Sequence, residues 1–243
     1  MKVFKNRKIW LVACGLWLVA CGLLLVESKE AVSQEEIEVV KGEIAGQAYY
    51  VPKSYFKFSN RYFTDDNINL QFMNPDFQPL SGTLQNLWEK REYYKNVSVL
   101  ANSVPKPIGA HKFANVRIES LKATEIVGEE YGLIHQKQPK EEIQDFEDVW
   151  LEEKGGEYLS IIECSEKIIE SAIPQCSYHL YWESFHIAVD FDKRLLPEWK
   201  KIKNNTLALL ESFKSEETAR AFLEERWCGR GDLNPHGHTA NGF

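Results

Sequence analysis

The sequence predicts an α+β domain: a mostly antiparallel sheet with a late amphipathic helix packed on a C-terminal hairpin, behind an N-terminal transmembrane or signal segment. Three observations carry this. Segments rich in β-branched and aromatic residues recur with polar turns between them, several alternating apolar and polar positions. One late stretch steps its apolar residues by three and four. An unbroken apolar run follows a basic start.

Residues 158–213 organise the chain. Residues 158–164 read as a strand ending in Cys164, and a connection closed by Pro174 leads to a second strand at 176–182. There Tyr178, Leu180 and Trp182 share one face by the two-residue period of a pleated chain. After a turn at Glu183-Ser184, residues 185–191 put Phe185, Ile187, Val189 and Phe191 on one side, so a hairpin is the simplest pairing. Asp192 is placed to cap a helix from about Leu195, with Pro197 in its first turn, where a missing amide hydrogen does no harm. Leu196, Trp199, Ile202, Thr206, Leu209, Leu210 and Phe213 form its apolar stripe, directed at the hairpin.

Upstream, residues 37–40 and 47–51 read as short strands, the second stopped by Pro52. Residues 67–73 alternate with Ile68, Leu70 and Phe72 inward, and 75–79 form a turn. Further strands are expected at 96–101, 116–121, 131–135 and 149–153, and a short helix within 82–94 around Leu84, Leu87 and Trp88. Residues 140–153 carry seven carboxylates. They read as a solvated loop leading into a strand; calcium binding is the alternative, at a spacing that does not match a dedicated calcium loop.

At the amino end, residues 9–26 are apolar throughout, behind Lys2, Lys5, Arg7 and Lys8 and ahead of an acidic segment. Eighteen residues is about the minimum for a spanning helix. The cationic side stays in the cytoplasm, which puts the remainder across the membrane. Leu-Val-Ala-Cys occurs twice, ending at Cys14 and Cys21, and resembles the bacterial lipobox. Retention as an anchor and cleavage with lipidation of Cys21 both stand as readings. The expected organisation is residues 1–26 as anchor or lipoprotein signal, 27–36 as tether, 37–226 as one periplasmic domain, and 227–243 as a disordered tail.

Removing the four cations of the first eight residues takes the formal charge from −7 to −11. An acidic body repels phosphates and so argues against nucleic-acid binding; it suits a basic protein partner or simply a solvated surface. Of the five cysteines, Cys14 and Cys21 lie in the apolar run and Cys228 in the tail. Cys164 and Cys176 are then left to pair as a disulfide in an oxidising compartment. No second cysteine pair or spaced histidine supports a metal there.

His111, His135, His179 and His186 lie outside the tail, and His179 and His186 alternate away from the hairpin's apolar set, which predicts surface positions. Asp65-Asp66-Asn67 and Asp190 with Asp192 are explained by turn capping as well as by a cation. No nucleophile elbow, zinc-protease helix or phosphate loop is present, so no catalytic residue and no cofactor is assigned.

The early Tyr50-Val-Pro-Lys-Ser-Tyr-Phe56, the Ile173-Pro-Gln-Cys176 lead-in, the Leu195-Leu-Pro-Glu-Trp199 helix start and the N-terminal Leu-Val-Ala-Cys together resemble the small membrane-attached periplasmic proteins encoded beside type VI secretion effectors in Gram-negative bacteria. The resemblance implies an immunity protein that binds and blocks a toxin, with membrane attachment through the N-terminal segment; it assigns no toxin-contacting residue. A structural or accessory envelope protein, and a hydrolase of envelope substrates, are the rival classes.

The tail, with Trp227-Cys-Gly-Arg-Gly-Asp-Leu-Asn-Pro, has no apolar period. Encoded as GAC-TTG-AAC, Asp232-Leu233-Asn234 is the reverse complement of a transfer RNA T-arm, and Trp227 complements a terminal CCA. The reading frame then runs antisense into a transfer RNA gene, as at a mobile island, and Arg230-Gly231-Asp232 carries no adhesive role. The gene is expected to show those three codons at 232–234; any others, read by sequencing the DNA, remove the antisense origin.

Overall fold

The computed structural model describes residues 38–57, 62–64, 66–80, 90, 92–104, 109–120, 125–138, 148–165 and 175–228. The N-terminal segment, the core of the expected 82–94 helix and residues 229–243 lie outside them.

A hairpin of β1 (Val39–Ile44) and β2 (Gln47–Pro52) opens the domain, followed by β3 (Phe63–Thr64), β4 (Asn67–Met73), β5 (Gln78–Pro79) and β6 (Asn96–Ser103). Helix α1 (Ala110–Ser120) precedes β7 (Glu125–Glu130), β8 (Leu133–Lys137), β9 (Asp148–Lys154), β10 (Glu157–Cys164), β11 (Gln175–Trp182) and β12 (Phe185–Asp192). Helices α2 (Trp199–Ser212) and α3 (Glu216–Cys228) close it. Among the described residues the main sheet runs β3-β4-β6-β12-β11-β10-β9-β8-β7, with β5 on β4, and every pairing is antiparallel.

Register fixes what faces inward. Val99 lies opposite both Val189 and Leu70, and Val189 opposite Tyr178, so these side chains form one apolar row across four strands. Over that row lie Leu195, Leu196, Trp199, Ile202, Leu209, Leu210 and Phe213, all buried. Each such side chain taken out of water contributes about 1.5–3 kcal/mol. The hairpin β1–β2 closes the core's other flank. Tyr49 meets Phe185 edge to face at 5.9 Å, the Tyr50 amide donates to the Phe213 carbonyl at 2.7 Å, and Gly42 lies so close to the Phe63 ring that no Cβ would fit.

Tight hairpins explain the economy of the sheet. Ala45-Gly46, Tyr131-Gly132 and Gly155-Gly156 each hold positive φ at both central residues, the requirement of the primed two-residue turns that match strand twist.

Several elements differ from the sequence expectation. Residues 116–120 of the strand expected at 116–121, patterned by Val116 and Ile118, belong to α1, because Phe113, Ala114, Arg117 and Ile118 share one helical face and α1 packs on β10 and β11; residue 121 lies outside the described residues. The strand expected at 131–135 begins two residues later, after the Tyr131-Gly132 turn. Asp192 does cap, accepting from the Arg194 amide, but residues 193–198 form a 3-10 helix ending just after Pro197, and the α-helix starts at Trp199. β7 and α3 have no counterpart in the expected elements.

Phe213 joins the end of α2 to the β1–β2 hairpin through the Tyr50 amide, and to the turn after that hairpin and to α3 through the rings of Tyr55 at 5.4 Å and Phe222 at 6.2 Å. Phe213→Ala is expected to lower stability by about 3–5 kcal/mol, measured as the shift in urea midpoint.

Candidate protein-binding surface

Antiparallel pairing brings three turns to one end of the sheet: Tyr131-Gly132, Gly155-Gly156 and Glu183-Ser184. That end is acidic. Lys203 engages Glu152 at 2.6 Å and Lys214 engages Glu183 at 2.7 Å, both from the C-terminal helical region. By contrast Glu129, Glu130, Glu153 and Glu157 form no ion pair with a lysine or arginine among the described residues; Glu130 bonds the Tyr131 hydroxyl and lies 3.9 Å from the His135 ring, while Glu125, at the far end of β7, lies opposite Lys137. The turn itself is rigidly held, since the Trp199 indole donates to the Tyr131 carbonyl at 3.0 Å.

β7 forms the sheet's terminal strand and is exposed along its whole length. Its register slips between Ile126 and Gly128, so Val127 is an extra residue with no partner in β8. Such bulges are common on edges and re-aim side chains. Ile126 is 70% and Val127 56% exposed, and Val116 on α1 is 54% exposed. Ile126 lies opposite Gln136 and Glu129 opposite Ile134. Both therefore sit on the side of the sheet that α1 covers.

Beneath α1 is a buried polar cluster. Arg117 donates from Nε and Nη2 to the two carboxylate oxygens of Glu163 at 2.6 and 2.7 Å, and the Glu163 side chain is fully buried. His179 and His186 share a hydrogen bond of 3.1 Å with their rings stacked, and Phe113 covers His186 at 4.6 Å. Burial first, then His186 and Arg117, pull the His179 imidazole down to about 4, against the opposing pull of Asp190. Burial and Arg117 lower His186 as well. Both rings are thus neutral at pH 7. The guanidinium engages both oxygens of Glu163, so this cluster fastens a helix.

A second polar group lies on the inner face. Asp148 accepts from Lys193 at 2.6 Å and His135 at 2.9 Å. Burial would raise its carboxyl, but Lys193 and His135, with Lys137 at 3.5 Å, together outweigh burial and hold it below the usual range. His135 stacks on Trp150 at 4.5 Å. A cleft of about 130 Å³ on the outer face is lined by Lys57, Tyr94, Asn96, Ser98, Gln175, Asp190 and Asp192. Its charges are engaged internally: Lys57 with Ser98, Asp190 with Ser177, and Asp192 with Arg194. The volume is well below that of a typical small-molecule site.

The residues singled out from sequence are dispersed. Cys164 and Cys176 face each other across β10 and β11 and are bonded, both buried in the inner core. Cys21, Asp65 and the Arg230-Gly231-Asp232 triplet lie outside the described residues, as does the side chain of His111. Asp66 receives the Ser103 hydroxyl as part of a turn. His179 and His186 are on the outer face, as their alternation requires, but α1 covers them, so the expected surface exposure is corrected. The exposed edge was missed because β7 has no alternating apolar pattern; the signal available was the Tyr131-Gly132 turn between two short segments.

The chain matches no protein-family model, and no curated protein matches it in sequence. Among solved structures it shares its fold with Smlt3025, an immunity protein of the Stenotrophomonas maltophilia type IV secretion system, at 12% identity and a TM-score of 0.52, covering 78% of this chain and 93% of that one. A likeness with a lower TM-score, 0.45, is to the Neisseria meningitidis iron-regulated outer membrane lipoprotein FrpD, at 10% identity over 72% of this chain and 92% of that one.

The buried histidines set an acid limit. Unfolded, each imidazole protonates near pH 6.5, roughly; folded, His179 protonates only near 4. Between those values the unfolded chain binds more protons, so stability falls as pH falls. His179 alone accounts for about 3 kcal/mol. The contribution of Asp148, whose folded carboxyl is depressed, is lost only as pH drops further. The urea midpoint is expected to fall between pH 7 and 4, and less steeply in His179→Gln; a wild-type midpoint flat over that range contradicts the assignment.

Proposed function

We propose that this protein is an immunity protein: it binds a toxic effector of a secretion system and blocks it by occupying its surface. The observation that carries the proposal is the hairpin end, where Glu129, Glu130, Glu153 and Glu157 stand exposed with no lysine or arginine ion pair among the described residues. Charges left uncompensated on a folded surface steer and select an oppositely charged protein. The fold shared with an immunity protein of a type IV secretion system supports the reading. The type VI assignment rests on the short motifs at residues 50–56, 173–176 and 195–199.

The proposed location is the periplasm, with the apolar run at 9–26 retained as an anchor or replaced by lipid on Cys21. The bonded Cys164–Cys176 pair supports an oxidising space, because such bonds are rare in the reducing cytosol.

The direct experiment is co-expression with the effector encoded beside this gene, directed to the periplasm. Growth is expected to be restored, and the two proteins to co-purify, with the dissociation constant rising about tenfold or more between 50 and 500 mM salt as screening weakens the acidic contacts. Continued killing together with no recoverable complex overturns the proposal.

A further inference from the structure

We infer that the free edge of β7 is the strand that receives the effector, and that the segment it receives is extended and basic; this deepens, and rests on, the immunity reading above. An edge strand presents unpaired amide and carbonyl groups that template another strand. β7 pairs only with β8 among the described residues, and all six of its residues are exposed.

Its side chains decide what can be added. A second copy is disfavoured, because antiparallel self-pairing would bring Glu125 and Glu130, which share one side of the sheet, against the same residues of the duplicate, and like charges on facing strands repel. A segment carrying lysine or arginine instead supplies the ion-pair partners that Glu129 and Glu130 lack among the described residues; Glu125 already faces Lys137 of β8. Between the glutamates, Ile126 and Val127 remain in water at 70% and 56% exposure, an apolar step for one or two partner side chains to cover. The bulge leaves Val127 unmatched by β8. The extra residue confines continuous pairing to a short run, which suits a specific short segment and discourages indefinite sheet growth. Backbone pairing then supplies affinity, and the glutamates select for charge.

The test measures binding of the full chain to the effector encoded beside it, by calorimetry, for wild type and three variants. Glu129→Lys changes an exposed carboxylate of the edge. Glu43→Lys makes the same change of net charge at an exposed position of β1, away from the main sheet. Val127→Pro removes an amide donor from the bulge. Glu129→Lys and Val127→Pro are each expected to weaken binding about 10- to 100-fold, with Glu43→Lys within about twofold of wild type. Circular dichroism confirms that each variant is folded; if Val127→Pro is not, Glu129→Lys decides alone. Wild-type binding that Glu129→Lys leaves unchanged, or that Glu43→Lys weakens equally, overturns the edge assignment while the immunity reading stands. No wild-type binding overturns both. A wild-type homodimer in light scattering that Glu129→Lys dissociates shows that the occupant is a second copy, which also overturns the inference.

Discussion

One apolar seam carries the molecule: the stripe from Leu195 to Phe213 laid across the inner faces of β6, β12 and β11. It decides which face of the sheet is dry. Strands alternate their side chains, so committing Val99, Val189 and Tyr178 to the seam sends Ser98, Ala188 and His179 to the opposite side. The outer face is polar as a consequence of the inner one being filled. The β1–β2 hairpin and α3 then close the flanks of the same core, through Tyr49, Tyr55 and Phe222 around Phe185 and Phe213.

The outer face solves its own problem differently. A small apolar cluster of Val149, Leu151 and Ile161 receives Ile118 of α1, but the rest of that helix is fixed by the Arg117–Glu163 pair and the stacked histidines. Burying a carboxylate is costly unless its oxygens are matched, and bidentate guanidinium geometry matches both. Such a pair adds less net stability than hydrocarbon of the same size would. What it supplies is position: a helix held by two charge-assisted bonds has one rotation and one height over the strands. The price is sensitivity to acid through His179 and His186, which the inner seam does not share.

Legibility from sequence follows this division. The 158–213 stretch was readable because both periodicities are clean there, period two in the hairpin and three to four in the helix. α1 was not, because its inward face includes Arg117: a charged residue occupies a core-facing position, the helical apolar stripe breaks, and Val116 and Ile118 are left to mimic a strand. The exposure of His179 and His186 depended in turn on that helix, so one misread element propagated into a second error. The Gly155-Gly156 turn was a usable signal between two apolar segments, whereas β7 was hidden because glutamates occupy half of its positions. The candidate surface is made of residues that obey no core periodicity, and periodicity was the main evidence a single sequence offered.

That last point bears on why a binding edge would be built this way. A core position is constrained by packing from all sides, so its chemistry reports the fold; an edge position is constrained only by solubility and by whatever it meets. Large aliphatic side chains on an exposed edge invite aggregation, and the usual defences are charge, a bulge or brevity. β7 uses charge and a bulge, yet keeps Ile126 and Val127 exposed. Were solubility the whole constraint, replacing these two with polar residues would satisfy it without any loss to the core, since neither touches the seam. Retaining them while surrounding them with glutamates makes sense when the edge must refuse its own kind and accept a partner of opposite charge.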